Sequence, residues 1–291
     1  MLTTRRWAPA LWVLGLLLFL AGPAGARSFI WEISQGGKVL YLMGSMHLAK
    51  PDLYPLAKEI QQAFDRSGLL VVEADIKPED QDRIQELTRT NGLYPQGETL
   101  SGGLSSKTRA KMKELGIDPA EFDHYRPWLA AILLQIQKYL DLGLDPKYGV
   151  DRYFLDQARG RKPILELEGA MYQMKLFARL SAGEQELFLY ATLVELANLS
   201  AVMDQAIKAW SEGDAEKFEY LFFKDYKEYP ELEPVAEKLI FQRNREMQSK
   251  IEGYLSNSGQ THFVVVGALH LVGEPGIIAG LKNKGWQVRQ L

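Results

Sequence analysis

Apolar and polar positions follow two periods along this chain, and the changes of period divide it into three stretches. Residues 28–34 and 38–43 are strand-like, with Gln35-Gly36-Gly37 as a tight turn between them, so they predict a β-hairpin. The second run, Val-Leu-Tyr-Leu-Met from Val39, stops at Gly44, and His47 follows three places later. Leu56, Ile60 and Phe64 then recur at helical spacing in a pattern beginning at Pro51, and Ser67-Gly68 end it. Residues 69–73 (Leu-Leu-Val-Val-Glu) form a short apolar strand that ends in a carboxylate. Strand, helix and strand in that order make a βαβ unit.

The same order returns near the end of the chain. Residues 262–266 are a strand, Gly267-Ala-Leu-His270 a turn, 275–284 a helix stopped by Gly285, and 286–291 a strand. This repetition reads as an internal duplication of strand–Gly-x-x-His–helix–strand. Between the copies the period is helical at 78–90, 105–115, 126–139, 151–158, 171–180, 183–210, 215–226 and 233–255. Residues 162–168 are the exception, a strand to be added to the sheet. The expected fold is α/β: a central sheet built from two duplicated units, with a mainly helical insertion at about residues 79–260. No flexible linker interrupts residues 27–291, which predicts one domain.

Residues 1–26 change the picture of location. Arg5-Arg6 form a basic start, residues 8–20 an apolar run and Ala24-Gly25-Ala26 an A-x-A cleavage site. They predict a Sec-type signal peptide cut after Ala26, hence an exported chain, periplasmic in a Gram-negative source. No other stretch reads as long and apolar enough to span a bilayer, so membrane contact is expected only during export. The net charge of −3 becomes −3 − 2 = −5 when Arg5 and Arg6 leave. With no Lys/Arg run in the body, nucleic acid and anionic membrane surfaces are excluded as expected partners. The absence of cysteine removes disulfides, thiol catalysis and thiolate metal sites, so any metal must be held by nitrogen and oxygen.

In open α/β sheets the functional crevice lies beyond the carboxyl ends of the strands. His47, His270, Glu73 and Glu168 all sit at such ends, and two of the four histidines share the Gly-x-x-His setting. Two imidazoles and one or two carboxylates suit a divalent metal. They equally suit metal-free general acid–base chemistry, with a carboxylate orienting a histidine. Asp75 is the neighbour able to replace Glu73, and at most one of Glu166 and Glu168 is expected at the site. Gly44 and Gly267 permit a sharp turn or a close approach. Ser45 reads as a turn residue, and His124 and His262 as structural. The aromatic-rich run 218–229 reads as core and groove wall. Arg243-Asn244, inside a helical pattern, suggests a specific contact, with a substrate carbonyl or carboxylate as the candidate. No Gly-x-Ser-x-Gly, His-Glu-x-x-His, P-loop or dinucleotide-binding glycine motif is present.

Taken in order, Gly44-Ser-Met-His47, Leu53-Tyr-Pro-Leu56, Ala63-Phe64, Val71-Val-Glu73, Gly149-Val-Asp151, Leu167-Glu168, Arg243-Asn244-x-x-Met247 and Gly267-Ala-Leu-His270 resemble the TraB/GumN proteins, relatives of the Tiki metalloproteases. The resemblance covers roughly residues 28–291. It implies an active-site set of His47, Glu73 and His270 as metal ligands, with Arg243 and Asn244 close by and Gly44, Gly267, Asp151 and Glu168 in support. It implies a metal-dependent, peptidase-like hydrolase acting on a peptide or protein. Manganese or cobalt are the cations it suggests, with zinc open. The alternatives are a metal-free histidine/glutamate ester hydrolase on the same frame, or a periplasmic protein that binds a ligand or metal without turnover.

Overall fold

A computed structural model describes residues 27–257 and 259–291. The segment read as a signal peptide lies outside the described residues. Six strands make one sheet: β1 (Ile30–Gln35), β2 (Lys38–Ser45), β3 (Leu69–Val72), β4 (Ile164–Glu166), β5 (His262–Gly267) and β6 (Gln287–Gln290). Their order is β4-β3-β5-β2-β1-β6. The hairpin joins β1 and β2 antiparallel, Gln35 opposite Lys38, through Gly36 and Gly37 with φ of 59° and 81°. β2, β5, β3 and β4 run parallel. Every residue of β3 and β5 is buried, which explains why both read as unbroken apolar runs rather than as alternation.

β5 lies between β2 and β3, so the end of the chain separates the two strands of the first βαβ unit. Gly44 pairs with Val266, and Ser45 with Gly267. Both Gly-x-x-His turns therefore leave the same end of adjacent parallel strands, one residue out of step. Beyond the turns the two segments share their order but not their surroundings. β3 is interior and parallel, whereas β6 is an edge strand antiparallel to β1.

The helices are α1 (Lys58–Arg66), α2 (Pro78–Asn91), α3 (Leu100–Gly103), α4 (Ser106–Glu114), α5 (Pro127–Asp141), α6 (Val150–Ala158), α7 (Ala170–Ala178), α8 (Ala182–Ser211), α9 (Ala215–Glu228), α10 (Glu233–Ala236), α11 (Gln242–Asn257) and α12 (Ile277–Asn283). Two depart from the pattern read in the sequence. The helix expected from Pro51 is a 3-10 turn, Pro51–Leu53, followed by α1 from Lys58; Pro55 interrupts it, because proline pushes the residue before it out of the helical region. The helix expected at 233–255 contains a π turn, Glu237–Phe241, between α10 and α11.

The main core joins both faces of the sheet to α1, α6, α12 and parts of α8, α9 and α11, with Phe64, Phe154 and Phe263 packed ring to ring. A second core sits within the insertion, where Leu189, Leu193, Leu196 and Leu199 of α8 meet Ala130, Ala131 and Leu134 of α5. One correction follows. α8 is long and apolar enough to cross a membrane by length and composition, contrary to the sequence reading. Of its most apolar stretch 44% is buried within the protein, so its hydropathy reflects the second core.

Candidate active site

The His47 turn is assembled from two distant segments. β2 carries Gly44 and Ser45; the Gly44 carbonyl accepts the Trp210 indole N–H at 2.8 Å. Any side chain at Gly44 would meet the Phe29 ring at 2.5 Å. The start of α6 closes on the turn from the other side: the Val150 N–H donates to the Met46 carbonyl at 2.9 Å. Gly149 makes that approach possible, since a Cβ there would lie 2.3 Å from the His47 carbonyl oxygen. Asp151, one residue further, lands beside the ring, with Oδ1 3.2 Å from His47 Nδ1. The Ser45 hydroxyl donates to the same oxygen at 2.9 Å and accepts the Asp151 N–H at 3.2 Å. Ser45 is therefore more than a turn residue; it anchors the aspartate.

The His270 turn is built differently. A 3-10 turn, Ala268–His270, follows β5 directly, and His270 is buried. Its Nδ1 donates to Asn244 Oδ1 at 2.6 Å, while Asn244 Nδ2 donates to the Pro275 carbonyl at 2.8 Å. An amide oxygen can only accept, so this contact fixes the tautomer and leaves Nε2 with a free lone pair. Asn244 is itself 2% exposed. It holds the histidine rather than lining the cleft.

Glu73 follows β3 and reaches under the neighbouring strand. Oε1 accepts the Gly267 N–H at 2.5 Å and stands 3.9 Å from His270 Nε2. Oε2 accepts from Arg243 at 2.8 Å and Gln173 at 3.0 Å. The Glu73 carbonyl accepts the N–H groups of Glu168 and Gly169, which fixes the second carboxylate next to the first. Arg243 grips Glu168 with Nε and Nη2, both at 2.8 Å, and gives Nη1 to the Leu239 carbonyl in the π turn. Four of its five N–H groups are thus committed to the protein. Gln173 Nε2 also reaches Glu168, at 2.9 Å. Glu166 points elsewhere, accepting the Asp75 N–H at 2.8 Å, and the Asp75 side chain is paired with Arg159 at 2.7 Å.

Three sequence-predicted residues converge at Gly267. A Cβ placed there would stand 3.3 Å from His47 Nε2, 3.3 Å from Glu73 Oε1 and 3.4 Å from His270 Cδ2. His47 Nε2 and Glu73 Oε1 are therefore no more than 3.3 + 3.3 = 6.6 Å apart. Among the described residues no three His, Asp or Glu side chains stand close enough to hold a metal ion in this arrangement. The donor set itself suits one: two imidazole nitrogens whose Nδ1 partners are fixed, and one ionised carboxylate.

The two rings are opposite in charge behaviour. Burial works against a proton on His47, but the Asp151 carboxylate, as charge and hydrogen-bond partner, and Glu73 outweigh it and raise the pKa to about 9. The ring keeps 54% of its side-chain surface open, so water eases the burial penalty and also screens the pull of the carboxylates. Burial lowers His270 to about 4 against the pull of Glu73, which leaves it neutral at pH 7. Burial pushes the Glu73 carboxyl up, yet His270, His47, Arg243 and the Gly267 N–H bring it down to about 2. Because His270 is neutral at pH 7, ionised Glu73 rests there on His47, Arg243 and the backbone N–H.

His47, Glu73 and Asp151 open onto a cleft of about 420 Å³, between α6, the segment after β3 and α5. His262 is buried away from it, stacked on Tyr254 and bonded to the Gln260 carbonyl. Phe218 belongs to the main core, and Tyr220 is exposed. The Tyr226 side chain lies outside the described ones. Gln173 is the member that sequence reasoning missed; a glutamine in the first turns of a helix carries no motif.

A cleft at the carboxyl end of parallel strands, lined by His47 and a buried glutamate with His270 buried close to that glutamate, defines an α/β protein with a polar site. The chain belongs to the TraB/PrgY/gumN family, whose pattern it matches over residues 29–290. It is 27% identical over 244 residues to the uncharacterized protein YbaP of Escherichia coli (strain K12), covering 82% of this chain and 86% of that protein. The YbaP of Shigella flexneri matches to the same extent. No solved structure matches.

Proposed function

We propose that this chain is an exported, metal-dependent hydrolase that cleaves peptide bonds. Its ligands are His47, His270 and Glu73. The observation that carries the reading is their approach to one point above Gly267 from three separate strand ends. When bound, a divalent cation supplies Lewis-acid polarisation of a carbonyl and a lowered pKa for water. The protein's own groups do the rest. Asp151 and Asn244 hold the two Nδ1 atoms; His270 Nε2 presents a lone pair, whereas a cation at His47 would have to displace the Nε2 proton that Asp151 and Glu73 favour. Arg243 neutralises part of the Glu73/Glu168 charge and holds Glu73 in place. We assign Arg243 and Asn244 to positioning rather than to a developing oxyanion, since their polar atoms are engaged within the protein. The same reading takes the two turns as copies of one unit, supported by their exit from adjacent parallel strands.

The test uses the purified mature chain. Manganese, cobalt and zinc binding by calorimetry, with chelator-sensitive cleavage of a peptide panel, is the expected result, and His47→Ala and His270→Ala abolish both. No binding at micromolar metal, together with no chelator-sensitive cleavage, sinks it. One contact favours a metal-free reading: Asp151 orients His47 and favours its charged form, as a carboxylate supports a histidine in acid–base work. Ester hydrolysis that survives chelator and needs His47 would select that alternative.

A further inference from the structure

We propose that the cleft beside His47 selects an extended peptide with a bulky apolar side chain within about three residues of the reacting bond. The proposal rests on the reading of this cleft as a peptide site. Its lining includes Ile76, 59% exposed on the segment after β3, and Ile136, 41% exposed on α5. Leu140, 45% exposed, lies one helical turn beyond Ile136. Among the described residues five large hydrophobic side chains are exposed, at 39–65%. Two of the five line the cleft that holds His47 and Glu73, from two separate segments, and a third lies one turn further along α5. Leu155, buried on α6, adds apolar lining to the same cleft.

The charged groups of the cleft argue the same way. Asp75 is paired with Arg159, Asp151 with His47 and Ser45, and Glu73 with Arg243. Arg152 gives its Nε to Asp156. An acidic side chain would compete with Asp75 and Asp156 for arginines that are about half exposed to water, whereas an apolar one removes two exposed isoleucines from water. Distance sets the position. Ile76 is three residues from Glu73, at most about 11 Å along the chain, and an extended substrate advances ~3.3 Å per residue.

The experiment is fluorescence anisotropy on the full mature chain in chelator, so that binding is read without turnover. The probes are labelled hexapeptides of Gly and Ser with one variable central residue: Leu, Phe, Ser, Lys or Asp. Leu and Phe are expected to bind about ten- to hundredfold more tightly than the other three. Ile76→Asp and Ile136→Glu each remove that preference with the melting temperature unchanged, while Leu165→Asp, exposed outside the cleft, leaves it intact. Equal binding of all five peptides, no binding of any, or a preference that survives both substitutions overturns the proposal. So does a change of self-association in Ile76→Asp without a change of peptide preference, which would mark this lining as an interface between copies. Cleavage is scored separately with metal restored. Preference without chelator-sensitive cleavage sinks only the hydrolase reading; cleavage without preference sinks only this one.

Discussion

The two Gly-x-x-His turns have the same spacing and leave the same end of neighbouring strands, yet the molecule treats them differently. His47 stands half open to the cleft, beside a carboxylate that favours a charged ring. His270 is held in one tautomer by a neutral amide, and burial keeps it uncharged. The difference teaches that a motif delivers a side chain to a place, and that burial and the partner at Nδ1 together decide what the ring can do there. A buried neutral imidazole is a fixed donor of a lone pair. An exposed ring with an acidic partner can also exchange protons with substrate or water.

The largest expected effect removes what the two turns share. Arg243→Leu leaves Glu73 and Glu168 buried without their cation, and stability in urea unfolding should fall by about 3–5 kcal/mol. A loss under about 1 kcal/mol would mean that water already reaches the carboxylates.

Gly149→Ala should act on the His47 turn alone. Its Cβ would fall on the His47 carbonyl, and overpacking of this kind costs about 1–3 kcal/mol. Histidine NMR signals should then move for His47 and not for His270; movement of both would join the turns into one rigid unit.

Asn244→Leu is the counterpart on the other turn. It leaves the His270 N–H buried without an acceptor, a loss of about 1–3 kcal/mol. On the proposed function, metal affinity by calorimetry drops roughly 10–100-fold. Unchanged affinity would show that tautomer control at His270 is irrelevant to the cation.

The smallest change in stability is expected from Asp151→Asn, because the His47 ring is half exposed. The clearest readout is the His47 titration followed by NMR, which should fall from about 9 towards or below the ordinary 6.5. The sign of the stability effect follows. A raised folded-state value contributes stability below pH 6.5 that is lost as pH rises through about 9. Asp151→Asn should flatten that alkaline limb. The buried turn has the opposite limb: His270, lowered to about 4, and Glu73, lowered to about 2, contribute stability at neutral pH that disappears as pH falls through those values. An alkaline limb that persists in Asp151→Asn would assign it to another group.

The sequence by itself determined the elements and most of the cast. Period-two and helical patterns located the hairpin, the parallel strands and the long helices, because burial of one face writes itself into residue order. His47, His270 and Glu73 were legible as polar residues that end apolar strands. Boundaries failed where the backbone obeys local sterics or insertions, as at Pro55 and the π turn of Glu237–Phe241. Tertiary structure alone decided which partners those residues received. Strand order put β5 between β2 and β3 and so brought Glu73 beneath Gly267, 194 positions away in sequence. The start of α6 gave His47 an aspartate, and α11 gave His270 an asparagine. α7 supplied Gln173, which no sequence pattern announces. Charge, tautomer and exposure depend on neighbours within a few ångströms, and for both histidines the decisive neighbour comes from another segment of the chain, so the two turns could be found by reading the chain but told apart only in the fold.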